Sequence, residues 1–158
     1  MNQTPGEKIP AISLKQHALI VFDEDCVLCS GSVQFLMKYD QKRYFYFTGQ
    51  HSALAQWLFL KADLTLATGK TLVLFDSSHY WTQSDAVLEI MSGLGRYWRF
   101  FKILGWFPQR WRDSVYDLIS RHRYQWFGKK QHCLVPNPEQ QSRFLSEIFQ
   151  IQDFVFQK

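Results

Sequence analysis

The chain lacks a long apolar run, and no uninterrupted stretch approaches the roughly 18–20 residues of a membrane span. Its first residues, MNQTPGEKIPAISLKQ, are polar and hold Pro5, Gly6 and Pro10. A basic start followed by an apolar segment is missing, so they do not read as a signal peptide. Cysteine is scarce and odd in number: Cys26, Cys29 and Cys133. That count argues against a secreted disulfide scaffold and for a reducing compartment, with the cytoplasm as the simplest home. Charge is spread along the chain, with a net +4 and a pI near 9.0. Neither a basic arm nor a nucleic-acid-binding motif is present, so nucleic acid is not an expected partner. Internal repeats and low-complexity tracts are also missing.

Aromatic side chains are abundant instead. They make up 17% of the chain, with six Trp and fourteen Phe. So many large rings favour a rigid core or a surface built to receive something apolar. A length of 158 residues with 46% hydrophobic and 20% charged residues describes one globular domain, large enough to bury a core without disulfide staples.

Along the chain, residues 1–16 form a lead-in. ALIVFD (18–23) is the continuous apolar run of a strand buried on both faces. After the cysteine turn the period changes, and a helix is expected from Cys26 or Val27 to Tyr39. RYFYFT (43–48) reads as a strand and HSALAQWLFL (51–60) as a helix, with Leu54, Trp57, Leu58 and Lys61 on one side. KTLVLFD (70–76) and HYWTQ (79–83) read as a hairpin. Thr82 or Ser84 can cap the next helix, with Asp85 in its first turn. The order β-α-β-α-β-β-α is that of an α/β, thioredoxin-like mixed sheet of about four strands with flanking helices. Residues 17–93 form this core. A basic-aromatic helical extension follows at 94–135, broken into two helices near 105–108. In the second, Trp111, Val115, Leu118, Ile119 and His122 share a face. Residues 136–158 close the chain with a short helix around 140–150.

The chemistry concentrates in FDEDCVLCSGSV (22–33). A cysteine where a strand hands over to a helix meets unpaired N–H groups and about half a positive charge, and both favour thiolate. The spacing puts Cys29 one turn on, within reach for a disulfide. Cys26, nearer the helix end and solvent, is the expected nucleophile, and Cys29 the resolving thiol. Asp23, Glu24 and Asp25 oppose thiolate formation by their charge. One of them can instead accept the proton of Cys29. Asp23, at the end of a buried strand, is better placed for a raised pKa, and Asp25 for solvent or the helix cap. The plain alternative is a pair of packed cysteines without a task. A third reading is a zinc site of Cys26, Cys29, His132 and Cys133. His17, His51, His79 and His122 read as surface or cap residues. Cys133 alone reads as a core or near-site residue, or as a third redox cysteine.

The run Asp25-Cys26-Val27-Leu28-Cys29 within FDEDCVLCSGSVQFLMKYD resembles the DCC family of thiol-disulfide oxidoreductases. KTLVLFDSSHYWTQSDAVLEIMSGLG is similar to the family's strand, hairpin and helix start, here Ser84-Asp85-Ala86. The basic-aromatic helices end in Arg123-Tyr124-Gln125-Trp126-Phe127-Gly128, and Cys133 follows. The resemblance covers about residues 18–135. It implies a thioredoxin-like fold and dithiol exchange through Cys26 and Cys29 with a protein or small-molecule disulfide or thiol. No bound cofactor is expected, and Ser84, Asp85 and Cys133 are candidates near the site. The chain departs from the family where Phe22-Asp23-Glu24 replaces Tyr-Asp-Gly, since glycine permits a left-handed turn that Glu24 resists. It also lacks the proline that thioredoxins place, in cis, before the third strand. Here that stretch is Ala67-Thr68-Gly69-Lys70-Thr71, and a cis bond without proline is costly.

Residues 96–112 interleave Arg96, Arg99, Lys102, Arg110 and Arg112 with Tyr97, Trp98, Phe100, Phe101, Trp106, Phe107 and Trp111. The plain expectation is a helical layer packed over the sheet, with Arg stems covering its edge. The same vocabulary suits an interfacial helix in peripheral contact with a membrane, or a docking groove for a client protein.

Overall fold

Five consecutive apolar residues, Ala18–Phe22, make β2 the centre of the sheet, and all five are buried. Alternation sends them to opposite faces. Leu19 and Val21 join Leu54, Ala55, Leu58 and Phe59 in one cluster, while Ala18, Ile20 and Phe22 join Val33, Leu36, Ala86 and Ile90 in the other. A strand with helices on both sides must be apolar throughout, which is why no alternation shows in its sequence.

The computed structural model describes residues 12–64, 72–129, 138–148 and 151–152. In chain order the elements are β1 (Ile12–Ser13), β2 (Ala18–Phe22), α1 (Val27–Tyr39), β3 (Phe45–Gly49), α2 (Ala53–Lys61), β4 (Val73–Phe75), β5 (Tyr80–Thr82) and α3 (Gln83–Gly93). A 3-10 helix (Arg96–Trp106), α4 (Gln109–Phe127), α5 (Pro138–Gln141) and β6 (Ile151–Gln152) follow. The main sheet has the order β3-β2-β4-β5. β2 runs parallel to β3 and antiparallel to β4, and β4 and β5 form the expected hairpin. A mixed four-stranded sheet of this connectivity, with α1 and α3 on one face and α2 on the other, is consistent with the thioredoxin-like fold. β1 and β6 pair in parallel as a small second sheet.

Several local expectations change. Thr82 holds the N-cap position of α3, but its side chain makes no capping bond. The hydroxyl of Ser84 goes to Asp113 of α4 instead. The helix expected around 140–150 does not continue after Gln141 among the described residues: Phe144 bridges Phe47, and two backbone bonds stitch 143–145 to the edge of β3. The shared face of α4 does not pack on the sheet. Trp111 is 73% exposed, and Val115, Leu118 and Ile119 are also open to solvent. The inward side of α4 is polar, with Arg123 its buried residue, while the hydroxyl of Tyr116 accepts the backbone N–H of Leu72. Periodicity finds an apolar stripe, but it cannot say which side is inside when polar groups have specific partners there. The stretch at 67–71, with His132 and Cys133, lies outside the described residues.

The 143–145 segment is anchored by charge. Arg143 and Asp40 are both buried and paired, and Arg143 also donates to the carbonyl of Phe45 at 2.7 Å through Nη2. Asp40 accepts the backbone N–H groups of Tyr44 and Phe45 as well. Removing one partner leaves an uncompensated buried charge, at a cost of about 3–5 kcal/mol. Arg143→Met should lower unfolding stability by that amount, seen as a lower urea midpoint. Combining it with Asp40→Asn should cost less than the sum of the two single changes.

Candidate active site

The site forms where β2 ends and α1 begins. Cys26 is the N-cap of α1, with extended backbone (φ −90°, ψ 122°). Its Sγ accepts the N–H of Cys29 at 3.4 Å. A sulfur thus occupies the place usually held by a serine or aspartate oxygen, against one of the orphan donors of the first turn. The turn before it is set by Asp23, whose Oδ1 accepts the N–H of Asp25 at 3.0 Å. Glu24 and Asp25 are both exposed residues. Glu24 is not among the described residues with left-handed backbone, Arg43, Asp63 and Gln83. The turn therefore forms without the family's glycine. The Glu24 carboxyl lies against Gly49, where any Cβ would collide with it. Partial burial raises its pKa, with His51 opposing.

Asp23 itself is buried. Its Oδ2 accepts Arg123 Nη2 at 2.6 Å and also the hydroxyl of Tyr124. Arg123 and Asp23 side chains are only 6% and 4% exposed, so this is an interior ion pair. It fastens the C-terminal part of α4 to the end of β2. α4 then ends at Gly128, whose φ of 83° suits glycine, and Lys129 forms an isolated antiparallel bridge with Cys26.

Exposure is the reverse of the expectation. Cys26, read as the thiol nearer solvent, is 0% exposed, with Lys129 bridged alongside it. Cys29 is half-buried and borders an apolar cleft of about 640 Å³ between α1, α3 and α4. Val33, Ile90, Met91, Ile119 and Phe127 are among its walls, and Arg123 reaches it too. Both cysteines are free thiols. Burial pushes the Cys29 thiol up to about 12, helped by the hydrogen bond with Cys26 and the Cys26 charge. Arg123 pulls in the other direction, and Asp23 adds to the rise.

The remaining candidates fall elsewhere. Ser84 bonds Asp113 at 2.5 Å, and Asp85 pairs with Arg112 at 2.8 Å. Both tie α3 to α4 rather than contacting the thiols. Among the described residues no three His, Cys, Asp or Glu side chains gather as metal ligands, and the zinc reading depended on His132 and Cys133, which lie outside them. Sequence reasoning gave Arg123, Tyr124 and Lys129 no part in the site. The first two stood in the quoted Arg123–Gly128 motif, but nothing in the sequence links them to Asp23, a hundred residues away.

The thioredoxin-like sheet and the Cys26–Cys29 pair at the head of α1 are in keeping with one family. The profile of the DCC1-like thiol-disulfide oxidoreductase family matches residues 20–129, and the chain belongs to that family. It is 35% identical over 140 residues to the uncharacterized protein YuxK of Bacillus subtilis, covering 89% of this chain and 98% of that one. It is 28% identical over 116 residues to a chloroplastic DCC family protein of Arabidopsis thaliana, covering 73% of this chain and 67% of that one. No solved structure matches.

The causes acting on Cys29 can be separated. In Cys26→Ser the hydrogen bond with the Cys26 sulfur and the Cys26 charge both vanish, while burial stays. The Cys29 pKa should fall from about 12 but stay above that of a free cysteine. At a fixed alkaline pH more of it is then thiolate, so iodoacetamide should label Cys29 faster in this variant than in a protein that keeps a reduced Cys26.

Proposed function

We propose that the chain is a cytoplasmic dithiol–disulfide oxidoreductase in which Cys26 attacks and Cys29 resolves. The supporting observation is the N-cap geometry, in which Cys26 Sγ sits on the N–H of Cys29 at the positive end of α1. Cys29 is the more accessible thiol, but access does not decide which one reacts. With a pKa of about 12 it is thiolate in roughly one molecule in 10⁵ at neutral pH. Cys26 instead has its sulfur on a first-turn N–H at the positive end of α1. Its burial calls for local displacement of the chain at Lys129, an opening of a few kcal/mol in a protein of ordinary stability.

The exchange then has two steps. The Cys26 thiolate attacks one sulfur of a substrate disulfide, forming a mixed disulfide and expelling the other substrate sulfur as thiolate. Once Cys26 is in that bond it bears no charge, and two causes of the high Cys29 pKa are gone. Cys29 loses its proton, attacks Cys26 Sγ and closes the Cys26–Cys29 disulfide. The second substrate thiolate leaves, so the substrate gains two electrons and the pair loses them. Run backwards, the same steps oxidise a dithiol.

In this scheme Asp23 is a positioning residue. Both its oxygens are engaged, by Asp25, Arg123 and Tyr124, which leaves it poorly placed to take up the Cys29 proton. Arg123, whose charge lowers the Cys29 pKa, favours the thiolate in the resolving step. Glu24 and Asp25, both exposed, are the acids left to receive the proton through water.

Cys29→Ser should accumulate mixed disulfides through Cys26, seen as shifted bands on non-reducing gels that reductant removes. The captured partners would name the substrate. Cys26→Ser should trap none and should reduce insulin no faster than the buffer. Trapping through Cys29 in the Cys26→Ser variant would reverse the assignment. A pair with no measurable potential against glutathione would end the proposal.

A further inference from the structure

The 3-10 helix at Arg96–Trp106 has three residues per turn, so side chains three apart stand in line. Tyr97, Phe100, Ile103 and Trp106 form one such line, exposed by 88%, 60%, 68% and 93% respectively. Arg96, Arg99 and Lys102 form the next. The third line faces the protein: Trp98 packs edge-on against Phe35 and Tyr39, and Phe101 stacks on Trp98. The helix is thus held by one ridge and presents an apolar ridge and a cationic ridge side by side, with no buried residue of its own. The plain expectation is packing over the sheet, but the inward ridge meets rings of α1 instead.

We propose that the Tyr97–Phe100–Ile103–Trp106 ridge seats the protein on an anionic bilayer, with the rings at headgroup depth and the cations on the phosphates. Charge points to that occupant. Residues 90–111 contain Arg96, Arg99, Lys102 and Arg110 and no Asp or Glu. A bilayer interface accepts aromatic side chains, and an anionic leaflet attracts the flanking cations. A second copy pairing the same ridge about a two-fold axis would bring the two cationic ridges together. Arg96, Arg99 and Lys102 also border a polar cleft of about 990 Å³ shared with Lys42, Asp76 and Glu89. That cleft lies at the start of β2 and β3, the opposite end from the thiols, so the surface is independent of the redox site.

The test is co-sedimentation with vesicles of phosphatidylcholine alone and of phosphatidylcholine mixed with phosphatidylglycerol, with tryptophan emission recorded. The wild-type protein should bind the mixed vesicles at low salt with a blue shift, release them as salt rises, and ignore the neutral ones. Arg99→Gln with Lys102→Gln should weaken binding about 30-fold, at ~1 kcal/mol for each cation. Tyr97→Ala with Trp106→Ala should lose both the blue shift and the binding. These side chains face solvent, so both variants should keep the wild-type melting temperature. Equal binding to both vesicle types, or none to the anionic ones at low salt, overturns the proposal. A dimer that Trp106→Ala dissociates, without vesicle binding, assigns the ridge to a second copy instead.

Discussion

The buried pair between Asp23 and Arg123 organises the site. Two charges taken out of water persist only where hydrogen bonds replace their hydration. Asp23 obtains these from Arg123, Tyr124 and the N–H of Asp25. The contact joins residues a hundred positions apart and settles where α4 lies. Much follows from that placement. α4 walls the cleft beside Cys29, and the chain leaving α4 turns at Gly128 and lays Lys129 along Cys26. The carboxylate that the sequence offered as a proton acceptor is in the structure the post to which the helical extension is tied.

The two thiols differ in exposure and in what surrounds their sulfurs. Cys26 has the helix terminus and the N–H of Cys29 but no exposure. Cys29 has an opening into an apolar cleft but a pKa near 12 that keeps it protonated. The sulfur at the cleft is thus the one pushed toward its protonated form, and the sulfur on the first-turn N–H is the one sealed from solvent. The cleft beside the second thiol is walled mainly by apolar side chains.

The extension beyond α3 departs from ordinary packing. Arg123 is the buried residue of α4, and none is buried in the 3-10 helix, while their rings stand largely in solvent. Among the described residues no helix is long and apolar enough to cross a membrane. The polar contacts of α4 bind it inward, through Tyr116 to Leu72, Arg112 to Asp85 and Arg123 to Asp23. With polar groups anchoring it, the apolar stripe remains available as a surface.

Much of the core was legible because its causes are local. The all-apolar run Ala18–Phe22, the change of period after Cys29 and the hairpin around Ser77 and Ser78 each carry their signal in a few adjacent residues. The strand–C-x-x-C–helix junction is equally local, so the sequence by itself put Cys26 near the head of the helix and Cys29 one turn on, while the N-cap it offered to Asp25 belongs to Cys26. It could not determine which sulfur meets solvent, what Asp23 binds, or which side of α4 faces in. Those depend on Lys129, Arg123 and Tyr124 arriving from about a hundred residues away. A long-range contact is chosen by the free energy of the whole packed molecule, and adjacent residues carry no record of it.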